Sequence, residues 1–122
     1  MQNRLPQKSF FLFYVLLIIL ISLLPSSVIK IGSLWKYDKI IHFFEYLILG
    51  FLFLNCFSPY DYIPQLLIMV IVSILIFSGI DEFIIQNFFT STRIPDLNDW
   101  IMDIFGSSIG VIIRFIVGFK IK

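Results

Sequence analysis

The sequence is poor in charge: Asp, Glu, Lys and Arg make up only 14% of its 122 residues. In an ordinary soluble domain these residues make up about a quarter of the chain, because they cover the surface that faces water. Hydrophobic residues make up 59% of this chain, and its mean hydropathy is +0.98. Composition therefore excludes a soluble enzyme, and we expect a lipid bilayer to be the solvent of this protein.

Net charge, cysteine and alanine are also low or absent, and the first two limit the functions that the protein can have. The formal net charge is only +1, so no basic or acidic field indicates nucleic acid as a partner. The one cysteine, Cys56, cannot form an internal disulfide, and nothing near it has metal-ligand spacing. We expect Cys56 to be an unreactive thiol that is buried or faces lipid. Alanine is absent, so a choice of Ile over Ala within a helix carries little information.

Four apolar runs predict membrane-spanning helices, which need about 20 residues to cross the bilayer core. They lie at about 9–25, 40–57, 64–82 and 97–119. The first has a basic start like that of a secretory signal, but no small-residue cleavage site follows, so we expect an uncleaved span. The sequence therefore predicts one domain, an all-α four-helix transmembrane bundle whose short connections make neighbouring helices antiparallel.

If the chain crosses the bilayer at every span, the acidic residues are unequally divided between the two sides of the membrane. Seven of the eight acidic residues then share one side, and only Asp61 is opposite. Lys and Arg determine the orientation of a membrane protein, and five lie on the side of the termini against four on the acidic side. This small difference favours cytoplasmic termini and an acidic face on the outside.

Helical spacing places the polar residues of the spans on common faces. In the second span, Asp38, His42 and Glu45 are at i, i+4 and i+7, and in the third, Glu82 and Gln86 are at i and i+4. One stripe of the fourth span changes from carboxylates to small residues: Asp96, Asp99, Asp103, Gly106 and Gly110. Small residues let another helix approach closely, so we expect the glycines to pack against a neighbouring helix and the carboxylates to face inward.

Three of these acidic residues have two interpretations that the sequence leaves open. Asp96 suits the N-cap of the fourth helix, Asp99 suits its first turn, and Asp38 suits the cap of the second helix. At such positions a carboxylate stabilises the helix terminus and needs no further role. A place in a shared polar site is as consistent with the pattern as capping.

Two acidic residues lie deeper in their helices. Glu45 and Asp103 are about one to two turns inside, where a charge is costly and usually marks a functional site. The structural alternative is a hydrogen bond between helices, to His42 or to Arg93. Arg114 lies near the opposite interface, and we expect its side chain to snorkel to the headgroups.

Two ordered motifs extend from the second span to the fourth. DKIIHFFEYLILG, residues 38–50, contains Asp-Lys, then His, then an aromatic residue and Gly. The second motif is a spaced series of polar residues and glycines: Asp81, Glu82, Gln86, Arg93, Asp99, Asp103, Gly106 and Gly110. In this order the motifs resemble those of the VanZ-like family of small bacterial membrane proteins.

The resemblance implies a four-helix protein of the cytoplasmic (inner) membrane with a role in the cell envelope. The family is named for low-level resistance to the glycopeptide antibiotic teicoplanin, and no agreed reaction comes with it. The sequence also departs from the family pattern. Gln86 and Arg93 follow the acidic pair at slightly longer spacing. Residues 90–92 lack the frequent Pro-Gly, and Asp103 stands where many members have Asn.

One functional hypothesis is a catalytic or binding site on the outer face, for a lipid-linked envelope substrate. His42 would exchange protons near neutral pH, and Arg93 would hold a phosphate or carboxylate group. A hard divalent cation is a further option, with oxygen ligands from Glu45, Glu82, Asp99 and Asp103. The full set of candidate site residues is Asp38, His42, Glu45, Glu82, Gln86, Arg93, Asp99 and Asp103.

The other hypothesis is a membrane module without catalytic activity. The acidic residues and Arg93 would then form a structural network, and the protein would bind another envelope protein. Such a network would tolerate Asp→Asn at Asp99 or Asp103 with only folding affected, whereas a chemical site would lose activity while the protein stays folded. A channel is poorly supported, because the second half of each span lacks polar residues to line a path. The sequence leaves open whether the protein is an enzyme.

Overall fold

The computed structural model of the chain describes residues 4–23, 38–89 and 97–120. The regular structure in these ranges is helical, and the all-α fold predicted from sequence is confirmed. The four long helices are α1 (Leu5–Ser22), α2 (Asp38–Asn55), α3 (Pro64–Ile80) and α4 (Leu97–Lys120). α1 begins earlier than the apolar run because Pro6 occupies its first turn, where a missing N–H costs nothing.

Within the described ranges, three helical segments are long and apolar enough to cross a membrane: Leu5–Ser22, Pro64–Ile85 and Leu97–Lys120. α2 also has 18 residues, but its first half carries the charges of Asp38, Lys39 and Glu45. Large apolar side chains are exposed on the outer faces of all four helices, among them Leu16, Ile48, Ile76 and Ile112. Such a surface is unsuited to water and suits lipid, so the protein is a membrane protein.

Consecutive helices run antiparallel, as their end-to-end contacts show. Arg4 at the start of α1 donates to the main-chain carbonyl of Asn55 at the end of α2. Trp100 near the start of α4 donates to the carbonyl of Leu75 near the end of α3. The most extensive contact is nevertheless between α2 and α4, which run parallel because they are two crossings apart. The rule of antiparallel neighbours therefore holds along the chain but not for the most tightly packed pair.

A seam of glycines allows α2 and α4 to approach so closely. A Cβ atom added at Gly50, Gly106 or Gly110 would overlap a main-chain carbonyl oxygen of the facing helix. The carbonyls concerned belong, in the same order, to Ser107, Phe43 and Leu47. Contact between backbones is the packing that small residues permit in membrane helices. The parallel pair thus sets the position of every side chain that projects between its two helices.

The third helix does not end at Asp81 and Glu82, where its apolar run ends. It continues through a π-helical segment, Asp81–Ile85, and a last α-helical turn, Gln86–Phe89. The N–H of Gln86 donates to the carbonyl of Asp81, the i to i+5 bond of a π turn. Asp81 and Glu82 follow the buried Ser78 at i+3 and i+4, so both acidic side chains continue the buried face of α3, and each is buried. Such segments occur often at functional sites.

At the opposite end of the bundle, Arg114 is buried, and the expectation that it snorkels is wrong. Its side chain is 3% exposed, and its Nε donates to Oδ1 of Asn55 at 2.8 Å. The guanidinium carbon lies 6.0 Å from the ring centroids of Phe51 and Tyr62. The cause is the inward stripe of α4, which continues at helical spacing beyond Gly110 to Arg114 and then Gly118.

Candidate functional site

Eight polar side chains are gathered at the end of the bundle where α1 and the π segment end and where α2 and α4 begin. We call them the polar cluster: Ser22, His42, Tyr46, Asp81, Glu82, Gln86, Asp99 and Asp103. Each of these residues is at most 7% exposed. Ionisable groups at such depth are costly unless they are paired or hold a cation.

His42 lies between two carboxylates of α4. Its Nδ1 is 2.8 Å from Oδ1 of Asp103, and its Nε2 is 3.8 Å from Oδ2 of Asp99. Asp99 also accepts from Nζ of Lys39 at 3.3 Å. The two carboxylates, Asp99 and Asp103, are four residues apart on α4. Lys39 and His42 are three residues apart on α2. Each helix therefore presents its pair on one face. The parallel orientation of α2 and α4 brings these faces together.

Asp81 ties the π segment to the rest of the bundle. Its Oδ2 accepts from the hydroxyl of Tyr46 at 3.3 Å and from the amide of Gln86 at 3.4 Å. The hydroxyl of Ser22, at the end of α1, donates to the carbonyl of Ile18 in its own helix. Oδ1 of Asp81 is buried and has no hydrogen-bond partner among the described residues. The carboxylate of Asp81 thus connects the π segment to α2 and to the helical turn that follows it.

Three side chains of the cluster converge more closely than the rest. His42, Glu82 and Asp103 each offer one ligand atom, and these three atoms lie within 4.8 Å of one another. They come from α2, the π segment and α4, so they meet only when the bundle is assembled. Imidazole nitrogen and carboxylate oxygen are both common metal ligands, and the same groups accept and release protons.

The structure brings together five of the eight candidate site residues: His42, Glu82, Gln86, Asp99 and Asp103. Glu45 is half-buried on the side of α1, where its main-chain carbonyl accepts from Tyr14 at 2.7 Å. Asp38 is the first residue of α2. Arg93 and the predicted helix cap Asp96 lie outside the described residues.

The four acidic residues considered as oxygen ligands separate in space. Glu82 and Asp103 belong to the converging group, whereas Glu45 and Asp99 are not part of it. The group takes its third ligand atom from His42, which the sequence singled out for proton exchange. The set of ligand atoms that converges is therefore one nitrogen and two oxygens.

Three members of the cluster were not candidates from sequence: Ser22, Tyr46 and Asp81. Tyr46 follows His42 by four residues, so continuing the polar stripe of α2 by one turn finds it. Asp81 stands at the apparent end of an apolar run, and it lies beside Glu82 on the buried face that Val70, Ile74 and Ser78 form in α3. Ser22 is a single hydroxyl in an apolar helix, and no spacing distinguishes it.

Comparison of the chain with models of known families, with characterised proteins and with solved structures finds no match.

Proposed function

We propose that the protein is a VanZ-like membrane protein of the bacterial cell envelope and that the polar cluster is its working site. One observation carries this proposal: a buried histidine and four buried carboxylates, drawn from three segments, meet inside a membrane bundle. Ionisable residues within membrane helices are expensive and usually mark a site of binding or chemistry. The order of the two sequence motifs supports the family, and both motifs contribute side chains to the cluster.

The cluster lies at one end of the bundle. The side chain of Lys39 is 50% exposed while its partner Asp99 is nearly buried, so in this proposal the ion pair marks the mouth of the site. With cytoplasmic termini, the mouth is on the outer face of the inner membrane. The polar group that enters there is the head of a lipid-linked envelope substrate, since its apolar part can remain in the bilayer. The cluster offers such a group proton acceptors and a place for a cation.

A second function is favoured by the bonds within the cluster. Asp81 joins the π segment to α2, and the contact of His42 with Asp103 joins α2 to α4. A network of this kind holds helices together in lipid without performing a reaction. In that case the protein is a membrane module that binds another envelope protein.

A deletion strain of the source organism separates the two functions. The strain is screened against antibiotics that target the envelope, teicoplanin among them, and is complemented with wild type, Glu82→Gln and Asp61→Asn. Asp61 is exposed at the other end of the bundle, so Asp61→Asn is the matched control. A working site predicts that Glu82→Gln is present in the membrane at the wild-type level and does not complement. Full complementation by Glu82→Gln, or failure only in proportion to lost protein, supports the structural module instead.

Membrane topology has its own test. In a Cys56→Ser background, a cysteine at Lys39 should react with a membrane-impermeant maleimide added to intact cells. A cysteine at Asp61 should react only after the cells are permeabilised. The reverse pattern contradicts an outward-facing cluster.

A further inference from the structure

We propose that His42, Glu82 and Asp103 bind a divalent transition-metal ion of the Zn²⁺ or Mn²⁺ class inside the bundle. The inference rests on the proposal that the polar cluster is the working site, and it names the cofactor of that site. The set differs from an all-oxygen site of Glu45, Glu82, Asp99 and Asp103, because only two of those residues converge.

The first support is geometry. The three ligand atoms lie within 4.8 Å of one another, and all three side chains are buried. Zinc binds imidazole nitrogen and carboxylate oxygen at about 2.0–2.2 Å in a tetrahedral arrangement, so its ligand atoms are about 3.4 Å apart. The three side chains would therefore have to close by at most about 1.4 Å to hold one ion.

The second support is a buried oxygen without a partner. Asp103 is 0% exposed, its Oδ1 contacts His42, and its Oδ2 has no hydrogen-bond partner among the described residues. Leaving a carboxylate oxygen desolvated and unsatisfied is costly, because water no longer solvates it. In the ion-free protein the contact with Nδ1 of His42 holds Asp103 in the group. A bound ion would replace the proton shared by these two side chains, so that Nδ1 becomes a ligand and Oδ2 is available to the same ion.

The donor set selects the class of metal. Ca²⁺ and Mg²⁺ take oxygen ligands, and Mg²⁺ in particular keeps several waters. Imidazole suits Zn²⁺ and other first-row ions, and carboxylates extend the range to Mn²⁺. Three protein ligands leave a position for water or for a substrate oxygen, as in catalytic zinc sites.

Neighbouring groups of the cluster provide the support that metal ligands need. Nε2 of His42 faces Asp99, which is held by Lys39. Groups around a metal site that orient its ligands in this way contribute to its affinity. The π segment supplies Glu82 and, through Asp81, is anchored to Tyr46. The rigidity of the site therefore comes from the same network that joins the helices.

The test is metal content of the purified full-length protein. Wild type in detergent is stripped with EDTA, equilibrated with Zn²⁺ or Mn²⁺, dialysed, and analysed by inductively coupled plasma mass spectrometry. We expect about one ion of one of these metals per chain, as for a site with three protein ligands. Changes in outer groups typically cost about 10–100-fold in affinity, so His42→Gln, Glu82→Gln and Asp103→Asn should each cost at least about 100-fold.

Two controls identify the ligands. Asp61→Asn should bind metal like wild type, because it is remote from the cluster. Glu45→Gln should also retain the ion, whereas an all-oxygen site that includes Glu45 would lose it. Equal metal content in wild type and in all three ligand variants overturns the proposal, and so does loss in Glu45→Gln equal to that in Glu82→Gln.

Wild type alone decides the matter if the ligand variants do not fold. X-ray absorption at the edge of the bound metal should then show a shell of nitrogen and oxygen with the outer scattering of one imidazole. Wild type that retains less than about a tenth of an ion per chain after equilibration overturns the inference, as does a shell without imidazole.

The two proposals fail separately. If wild type holds no ion and Glu82→Gln still fails to complement, the metal is wrong and the working site stands. If the ion binds as expected and Glu82→Gln complements fully, the site is a metal site without the proposed function.

Discussion

Nδ1 of His42 lies 2.8 Å from Oδ1 of Asp103, and this contact joins α2 to α4 inside the bundle. Both residues are buried, one near the start of each helix. The contact exists because the glycine seam lets the backbones of the parallel helices α2 and α4 touch. The polar cluster is thus a product of helix packing, and changes to the seam, the π segment or the paired residues should affect it differently.

Asp103→Asn and Asp103→Leu should differ in stability. The amide oxygen of Asn can still accept a hydrogen bond from His42, whereas Leu leaves the buried imidazole without this partner. Loss of a buried partner costs about 1–3 kcal/mol, so we expect Asp103→Leu to lower the free energy of unfolding by that amount relative to Asp103→Asn. Unfolding by steric trapping in bicelles measures the difference. Equal stability of the two variants means that the contact does not hold the helices.

Substitutions in the glycine seam should destabilise the bundle. In Gly110→Ala, the new Cβ overlaps the carbonyl of Leu47, which α2 cannot move without separating from α4. Overpacking of this kind typically costs about 1–3 kcal/mol.

The matched control is Gly79→Ala, whose Cβ would lie 3.4 Å from the Trp100 ring, an ordinary contact. Because Ala is the better helix former by up to about 1 kcal/mol, this variant should be as stable as wild type or more stable. Thermal unfolding in detergent compares the two. A Gly110→Ala variant as stable as Gly79→Ala contradicts the close approach.

Much of the architecture follows from sequence pattern. The apolar runs locate the helices, and the spacing of Asp99, Asp103, Gly106 and Gly110 identifies the inward stripe of α4. The same stripe, continued by one turn, reaches Arg114. Its burial was missed because a lone charge near a predicted interface was assigned to the headgroups.

Other features depend on tertiary contacts that no periodicity encodes. α3 is apolar on every side before Asp81, so its sequence does not show which face is buried, and the pattern gives no signal for the π turn that follows. The choice of α4 as the principal partner of α2 likewise depends on which glycines face each other. Ser22 joins the cluster because α1 ends beside the π segment, and a single serine carries no such information.

Removing one residue from the π segment should leave the cluster intact. A π turn holds one residue more than an α turn, so deletion of Ile84, which is 47% exposed, should restore an α-helix in which the N–H of Gln86 still donates to the carbonyl of Asp81. Deletion of Ile76, an exposed residue in the regular part of α3, should instead rotate everything after it by about 100° and turn Asp81 and Glu82 away from the cluster. We expect the Ile84 deletion to complement and the Ile76 deletion to fail. Equal activity of the two variants contradicts this account.

Because the buried Arg114 donates to Asn55, two substitutions of Asn55 should differ in their effect on stability. Asn55→Leu removes the acceptor for Nε of Arg114, and hydrogen bonds to charged groups contribute about 1.5–3 kcal/mol. Asn55→Asp keeps an acceptor and adds attraction to the guanidinium. We therefore expect Asn55→Leu to lower the unfolding temperature and Asn55→Asp to maintain or raise it. No difference between them is the result that a snorkelling Arg114 would give.

The most direct measurement of the central claim is complementation by Asp103→Asn, scored against the amount of protein in the membrane. This change keeps the volume of the side chain and a hydrogen bond to His42, and it removes only the charge. A working site predicts a variant that is folded, inserted at the wild-type level and inactive in the deletion strain. Full complementation at equal protein level would contradict the claim, because a buried carboxylate that can be neutralised without effect performs no chemistry that the cell needs.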